Sequence, residues 1–276
     1  MQQTIAPPAM QLIAPATSRV RLSEIWSSIP LASMLAVRDF KVRYKQSALG
    51  PLWLVIQPLG MLGAFTVVFG GVADIGTEGV PYALFALVGV TVWTFFSMAM
   101  GTGVRAHVMN QKLIKLVPCP RVAFVTANML ATLPYLAAPL LLTLIAIPVS
   151  GRALPAAILA LPLVVVWLCV LIYASTLLLS SVNVRFRDVG QTIPFVMQGG
   201  LFLTPVAYPL SEASQSLQTV LACNPMTGVL ETWRWCLLGT PPDQLALLVA
   251  LGATPLVVAA GWYLFVRLEP RFADVI

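Results

Sequence analysis

Residues 154–182 read LPAAILALPLVVVWLCVLIYASTLLLSSV and contain no acidic, basic or histidine side chain. A helix rises about 1.5 Å per residue, so roughly 20 apolar residues cross the hydrocarbon core of a bilayer. Five further uncharged runs are also long enough to cross. They span residues 51–71, 82–104, 124–149, 192–210 and 245–266. The sequence therefore predicts an all-α, polytopic integral membrane protein with six transmembrane helices.

The composition excludes a water-soluble globular domain. Of 276 residues, 59% are hydrophobic and 9% are charged, whereas soluble domains carry about 25% charged residues. The net charge of +6 is compatible with nucleic-acid binding, but the basic residues lie between the apolar runs and form no dense patch. They suit anionic membrane lipid better, so we expect no nucleic-acid partner.

The basic residues also predict orientation, because cytoplasmic loops carry an excess of lysine and arginine. With six spans, all of the 16 lysines and arginines except Arg152 and Arg234 fall on one side. Both termini are therefore predicted to be cytoplasmic. The alternative is a seventh crossing at 217–238, which would bury Glu231 and Arg234 and place the last two arginines outside.

The chain is expected to consist of a flexible tail at residues 1–20 and a membrane domain at residues 21–276. Residues 31–45 are predicted to form an amphipathic helix on the cytoplasmic membrane surface. Its cationic face carries Arg38, Lys41 and Lys45, and the adjoining apolar face carries Val37, Phe40 and Tyr44. The alternative is a plain basic flank that only fixes topology.

Residues 211–244 follow the fifth predicted span and are expected to be external. Their two apolar stretches break at Asn224-Pro225, which favours two short helices that dip into the outer interface. Trp233 and Trp235 would then lie at headgroup depth. The alternative is a folded external loop with buried tryptophans.

The residues that are missing restrict the chemistry of the chain. The six predicted spans contain no ionisable side chain, which disfavours proton-coupled transport. The single histidine, His107, has no acid–base partner in the pattern, so no catalytic residue is predicted. The four cysteines lack metal-ligand spacing, and a disulfide between Cys223 and Cys236 stays open. No GxxxxGK[ST] loop is present, so uphill transport would need energy from another polypeptide.

Two connections on the predicted cytoplasmic side have the polar composition of contact sites. Residues 110–121 read NQKLIKLVPCPR and predict a short amphipathic helix closed by prolines. Residues 183–189 read NVRFRDV. Each of them is equally compatible with an ordinary basic turn that serves only the orientation.

Five short blocks carry a likeness to one known family. RDFKVRY at 38–44, with Ser47, LG at 49–50 and LW at 52–53, forms the first and most specific block. The others are 110–121, 183–189, TPVAYP at 204–209 and Asn224-Pro225. Together they resemble the permease subunits of ABC exporters for lipid-linked O-antigen, capsular polysaccharide or teichoic acid. At 118–120 the chain has PCP, where that family more often has an aromatic residue.

This resemblance implies a homodimer of six-helix subunits in the inner membrane, bound to two copies of a separate ATPase that holds ATP and Mg²⁺. No cofactor of its own is implied. Residues 110–121 match a coupling helix that docks on the ATPase, residues 31–45 an interfacial helix, and the external helices an outer gate. The residues assigned to ATPase coupling are Asn110, Gln111, Lys112, Lys115, Arg121, Arg185, Arg187 and Asp188. Those assigned to the interfacial helix are Arg38, Asp39, Lys41, Arg43 and Lys45.

Aromatic side chains on the first and fifth spans are candidates for lining a sugar-polymer pathway that carries no charges, since aromatic faces pack against the apolar faces of sugar rings. They are Trp53, Phe65, Phe69, Phe195, Phe202 and Tyr208. For each, the alternative is a lipid-facing or packing role. For the chain, the alternatives are export of teichoic acid or a small hydrophobic drug, and a self-contained membrane enzyme or facilitator.

Overall fold

The computed structural model describes residues 23–72, 76–77, 79–117 and 119–272. The predicted tail at 1–20 and Pro118 lie outside these ranges. Within them the chain folds into helices and connections without any strand, so the all-α prediction is confirmed. The α-helices are α1 Ser23–Ser27, α2 Ile29–Tyr44, α3 Trp53–Phe65, α4 Tyr82–Gly103, α5 Ala106–Met109, α6 Gln111–Leu116, α7 Val122–Thr132, α8 Pro134–Val149, α9 Leu161–Arg185, α10 Asp188–Leu203, α11 Gln215–Ala222, α12 Pro225–Leu238 and α13 Gln244–Leu268.

Five helical stretches of the described chain are long and apolar enough to cross a membrane. They are Gly50–Gly71, Tyr82–Gly103, Val122–Val149, Ala156–Arg185 and Gln244–Arg271. These stretches coincide closely with five of the six predicted spans, because a long uncharged run has few other stable structures in hydrocarbon.

The fifth predicted span, 192–210, was wrong in its extent. α10 has 16 residues and ends at Leu203, which is shorter than the roughly 20 residues of a typical crossing. Thr204 is extended, with φ −120° and ψ 127°, because the following Pro205 disfavours the helical conformation of the residue before it. Residues 204–208, which we call the 204–208 segment, therefore continue as irregular backbone.

α4 lies at the centre of the bundle and contacts α3, α7, α8, α9, α10 and α12. Within the most apolar part of each stretch, 72% of the residues are buried for α4 but only 17% for Gly50–Gly71. Small residues allow the closest helix contacts. At Gly228 in α12, an added Cβ would lie 2.1 Å from the Ala246 carbonyl oxygen in α13.

α2 begins near the predicted place, but its faces differ from the predicted pattern. It packs along α7, and Ala32 and Leu35 are buried. Phe40 and Tyr44, predicted to belong to a lipid-facing surface, pack against the main hydrophobic core instead. A hydrogen bond of 2.6 Å from the Tyr44 hydroxyl to that of Tyr135 in α8 joins the end of α2 to the bundle.

α11 and α12 confirm two short helices that break at Asn224-Pro225. The Asn224 side chain caps α12 by accepting a bond of 3.0 Å from the Met226 backbone N–H. α12 packs against α4, α9 and α13 and leaves the Trp233 indole fully buried, as the alternative of a folded loop with buried tryptophans expected. Trp235 is half-buried. All four cysteines are free, so the structure does not pair Cys223 with Cys236.

Among the described residues, the ion pairs lie at the two ends of the bundle, whereas neutral hydrogen bonds such as that between Thr91 and Thr143 also join helices further along. One end, which we call the α6 end, carries the connections 104–121 and 186–187 and both outermost described segments. The opposite end, which we call the α12 end, carries the 204–208 segment, α11 and α12. This separation follows from the medium, because ion pairs and polar turns are costly at mid-bilayer depth.

Candidate functional site

α6 provides the most exposed mixed surface at the α6 end. It forms the predicted short helix and turns Ile114 inward, while Lys112 and Lys115 point outward. Leu116 is 79% exposed at its end, and Val117 leaves the helix in an extended conformation. An apolar tip flanked by two ammonium groups suits a groove with an apolar floor and an acidic rim.

The N-terminal helix is tied to the start of α6. Arg38 in α2 donates to the Asn110 side-chain oxygen at 2.9 Å and to Asp39 at 2.7 Å. Asn110 in turn donates to the Ala106 carbonyl at 2.9 Å. Asn110 was predicted to serve ATPase coupling, and in the structure it binds Arg38 of α2 within this chain. Gln111 begins α6 beside it.

The C-terminal segment is tied to the other end of the same connection. Arg121 forms an ion pair of 3.4 Å with Glu269 and donates a hydrogen bond to its backbone carbonyl. Its guanidinium also lies 6.0 Å from the ring centre of Phe272. Arg121 was predicted to serve ATPase coupling, and the structure places it on α13's end rather than on the open surface of α6.

His107 lies between the Arg38–Asn110 hydrogen bond and the Arg121–Glu269 ion pair, and it was not predicted as a site residue. It is fully buried beside three rings, with centroid distances of 6.3 Å to Phe124, 6.0 Å to Phe265 and 4.9 Å to Phe272. Its Nε2 lies 3.2 Å from the Arg121 carbonyl, which can only accept, so Nε2 carries the proton. Burial lowers the pKa of His107 from 6.5 to about 4.

Hydrogen bonds join the connection at 183–189 to the end of α4, and the sequence did not predict them. Asn183 donates to the Val104 carbonyl at 3.0 Å and accepts from the Gly190 N–H at 2.7 Å. Arg105 donates to the Gly190 carbonyl with two nitrogens, at 3.0 and 2.6 Å. A Cβ at Gly190 would meet Asn183 at 2.8 Å, so glycine is needed there. The start of α10 is thus fixed to the end of α4.

The predicted coupling residues at 183–189 lie beside these hydrogen bonds. Arg185, Arg187 and Asp188 are all exposed. Phe186 between them is 56% exposed, and the Arg185 guanidinium lies 5.4 Å from its ring centre. They form a second mixed apolar and charged surface at the same end as α6.

The predicted pathway aromatics fall into two groups. Trp53, Phe195 and Phe202 are exposed on α3 and α10, which both flank α4. Phe65 is buried and makes an edge contact of 5.8 Å with Phe69. The Tyr208 hydroxyl donates to the Phe202 carbonyl at 2.6 Å, so it holds the end of α10. Only the first group presents free aromatic faces.

Comparison with known protein families identifies the family of this chain. The model of the ABC-2 type transporter family matches residues 31–238, three quarters of the chain. The chain belongs to the ABC-2 type transporter family. The match includes the exposed α6, both connections, and α11 and α12, whereas Phe265 and Phe272 of the His107 cluster lie beyond it.

Relatives within this family are named as transport permeases. The O-antigen export system permease protein RfbA of Myxococcus xanthus is 28% identical over 92% of this chain and 98% of its own length. An RfbA protein of Klebsiella pneumoniae is 22% identical over 89% of this chain and 95% of its own length. The polysialic acid transport protein KpsM of Escherichia coli is 26% identical over 72% of this chain and 78% of its own length. These names support the predicted resemblance and disfavour the membrane-enzyme alternative.

The buried His107 predicts acid sensitivity of the α6 end. Between pH 6.5 and about 4, the unfolded chain binds a proton that the folded chain excludes. Stability is therefore full above pH 6.5 and falls towards pH 4, by up to about 1.4 kcal/mol per pH unit from this group. His107→Phe should remove this part of the pH dependence, measured as thermal unfolding in detergent at several pH values. Lys112→Ala, at an exposed neighbouring position, should keep it. Equal slopes for the His107→Phe variant and the parent protein would contradict the assignment.

Proposed function

We propose that this chain is the membrane-spanning permease of an ABC exporter that moves lipid-linked polysaccharide, of O-antigen or capsule type, outward across the inner membrane. The observation that carries the proposal is the nearly end-to-end match to a relative named for O-antigen export, over 92% of this chain and 98% of that protein. The all-helical bundle of apolar spans, with its ion pairs at the two ends, supports it.

The energy comes from a separate ATPase that binds ATP and Mg²⁺. This chain has no phosphate-binding GxxxxGK[ST] loop. The exposed tip of α6, with Leu116 and its two lysines, is the docking surface, and the exposed turn around Phe186 extends it. The partner therefore presents a groove that is apolar at its floor and acidic at its rim.

Two copies of the chain enclose the pathway, and each copy binds one ATPase. α3 and α10 both pack against α4 and leave exposed aromatic side chains, namely Trp53, Phe195 and Phe202. A second copy placed against these helices would turn the three aromatic faces towards a shared cavity. Sugar rings can slide along such faces without a charged binding site.

A nucleotide-driven displacement of α6 is transmitted to the bundle through three contacts. The Arg38–Asn110 bond links it to α2, the Arg121–Glu269 pair links it to the end of α13, and the Arg105–Gly190 bonds link it to α10. A ligand-driven change of this kind needs two arrangements of the bundle that the ATPase favours differently.

Residues 21–276 form the permease domain, with both termini and the α6 end in the cytoplasm. α10 with the 204–208 segment supplies the sixth crossing, and α2 lies at the cytoplasmic interface with Arg38, Lys41 and Lys45 exposed. The distribution of lysine and arginine supports this orientation, because among the residues that the structure describes only Arg152 and Arg234 lie towards the α12 end.

Replacing the apolar tip of α6 by a charge tests the docking surface and the transport function together. Leu116→Asp should weaken recovery of the ATPase with the purified chain by at least about tenfold, since a carboxylate would be desolvated in the groove. Cells that depend on this variant should lose surface polysaccharide and retain the lipid-linked form inside. Leu217→Asp, at an exposed leucine of α11, should keep ATPase recovery. Full recovery and export with Leu116→Asp would count against this docking surface, and normal surface polysaccharide in cells lacking the chain would refute the substrate.

Cysteine labelling tests the orientation. A membrane-impermeant maleimide added to intact spheroplasts should modify Cys223, which is exposed at the α12 end. A cysteine introduced by Lys112→Cys on α6 should react only after the membrane is opened. Labelling of the Lys112→Cys variant at position 112 from outside would reverse the proposed orientation.

A further inference from the structure

A buried arginine joins three elements at the α12 end. Arg234 in α12 is 1% exposed and forms an ion pair of 2.9 Å with Glu231, one turn earlier. Its other terminal nitrogen donates to the Val206 carbonyl at 2.9 Å. The guanidinium also stacks on Phe85 in α4, with 3.9 Å between its central carbon and the ring centre. One side chain therefore holds α12, α4 and the 204–208 segment together.

The surroundings are built for close approach to this guanidinium. At Gly89 in α4, an added Cβ would lie 2.5 Å from the Val206 carbonyl oxygen and 3.2 Å from the Arg234 guanidinium. Two neighbouring contacts hold the same segment: Tyr82 donates to the Ala207 carbonyl at 2.8 Å, and Asn224 donates to Thr204 at 2.9 Å. The 204–208 segment is thus anchored on both sides of Val206.

An ion pair is a costly way to fill this place. Removing two charges from water is expensive, and a buried pair can often be replaced by apolar side chains of similar size without loss of stability. Packing alone therefore does not explain Arg234. What an apolar residue cannot supply is the directed bond to the Val206 carbonyl, which fixes where the 204–208 segment lies.

The anchored segment begins directly after α10, the helix that carries Phe195 and Phe202. At its other end α10 is held by Arg105 and Asn183. Any tilt of α10 that opens the pathway at the α12 end must move the Val206 carbonyl relative to α12 and α4. The bond from Arg234 opposes that movement.

We propose that Arg234 is a positioning residue for export, which latches the end of α10 to α12 and α4 and keeps the pathway closed at the α12 end. Glu231 and Phe85 orient its guanidinium, and the Val206 carbonyl is the group it holds. The inference rests on the proposed transport function, which it deepens by naming the contact that a passing polymer must displace.

Two variants separate positioning from stability. Glu231→Leu combined with Arg234→Met removes both charges and the bond to Val206, while keeping an apolar filling. Arg234→Lys keeps a charge for Glu231, but its single ammonium cannot reproduce the planar fork that reaches two acceptors. Arg152→Met is the matched control, since Arg152 also donates to a backbone carbonyl, that of Gly79 at 3.0 Å, at an exposed site of the same end.

The readout is the reactivity of Cys236, which is fully buried in α12 two residues after Arg234, towards an impermeant maleimide added from outside. Peptide mass spectrometry distinguishes it from Cys223. We expect the double variant and Arg234→Lys to unfold near the temperature of the parent protein. Their Cys236 should react about tenfold faster. Export should fall by a similar factor, because polymer that has moved outward can slip back through an end that is no longer held closed. Arg152→Met should match the parent protein in all three measurements.

The proposal is overturned if either folded variant keeps Cys236 protected and exports normally. It is equally overturned if export falls only in proportion to lost stability. Because the labelling needs no substrate, it tests the latch even if the parent protein exports no polysaccharide, an outcome that would instead refute the proposed function.

Discussion

The constraint on which this structure depends is the cost of polar groups in hydrocarbon. Each of the five long apolar stretches satisfies its backbone internally, and their interiors leave little that is ionisable for chemistry. The contacts made by charged side chains are therefore concentrated where the helices end. Arg105, Arg121 and His107 lie at the α6 end, and Glu231 and Arg234 at the α12 end. Function in such a chain therefore depends on how the α6 end and the α12 end of the bundle are connected.

α10 connects them most directly. Its first turn is locked to α4 through Gly190, next to the exposed surfaces of α6 and Phe186. Its last turn leads into the 204–208 segment, which Arg234 holds. A helix with defined contacts at both ends can pass a displacement from one end to the other. Under the proposed function, this arrangement gives a physical route from ATPase docking at the α6 end to opening at the α12 end.

The sequence was sufficient where the physics is local and insufficient where it depends on distant pairs. Uncharged runs predicted five spans closely, and the amphipathic pattern predicted α6 as a helix. The extent of the fifth span was missed because hydropathy outweighed the signal of Pro205. Arg105 and Gly190, or His107 and Phe272, lie far apart in the chain, so no periodicity relates them. Trp233 was expected either at headgroup depth or buried in a folded external loop, and no local signal shows that α12 packs into the bundle.

The central claim is that this chain provides the path and another polypeptide provides the energy. Inside-out membrane vesicles containing the chain, its ATPase and lipid-linked polysaccharide test it most directly, by the amount of polymer transferred to the lumen. The account predicts transfer only when both proteins and ATP are present, and none when the nucleotide site of the ATPase is disabled. Transfer by this chain alone, or transfer without ATP, would contradict it.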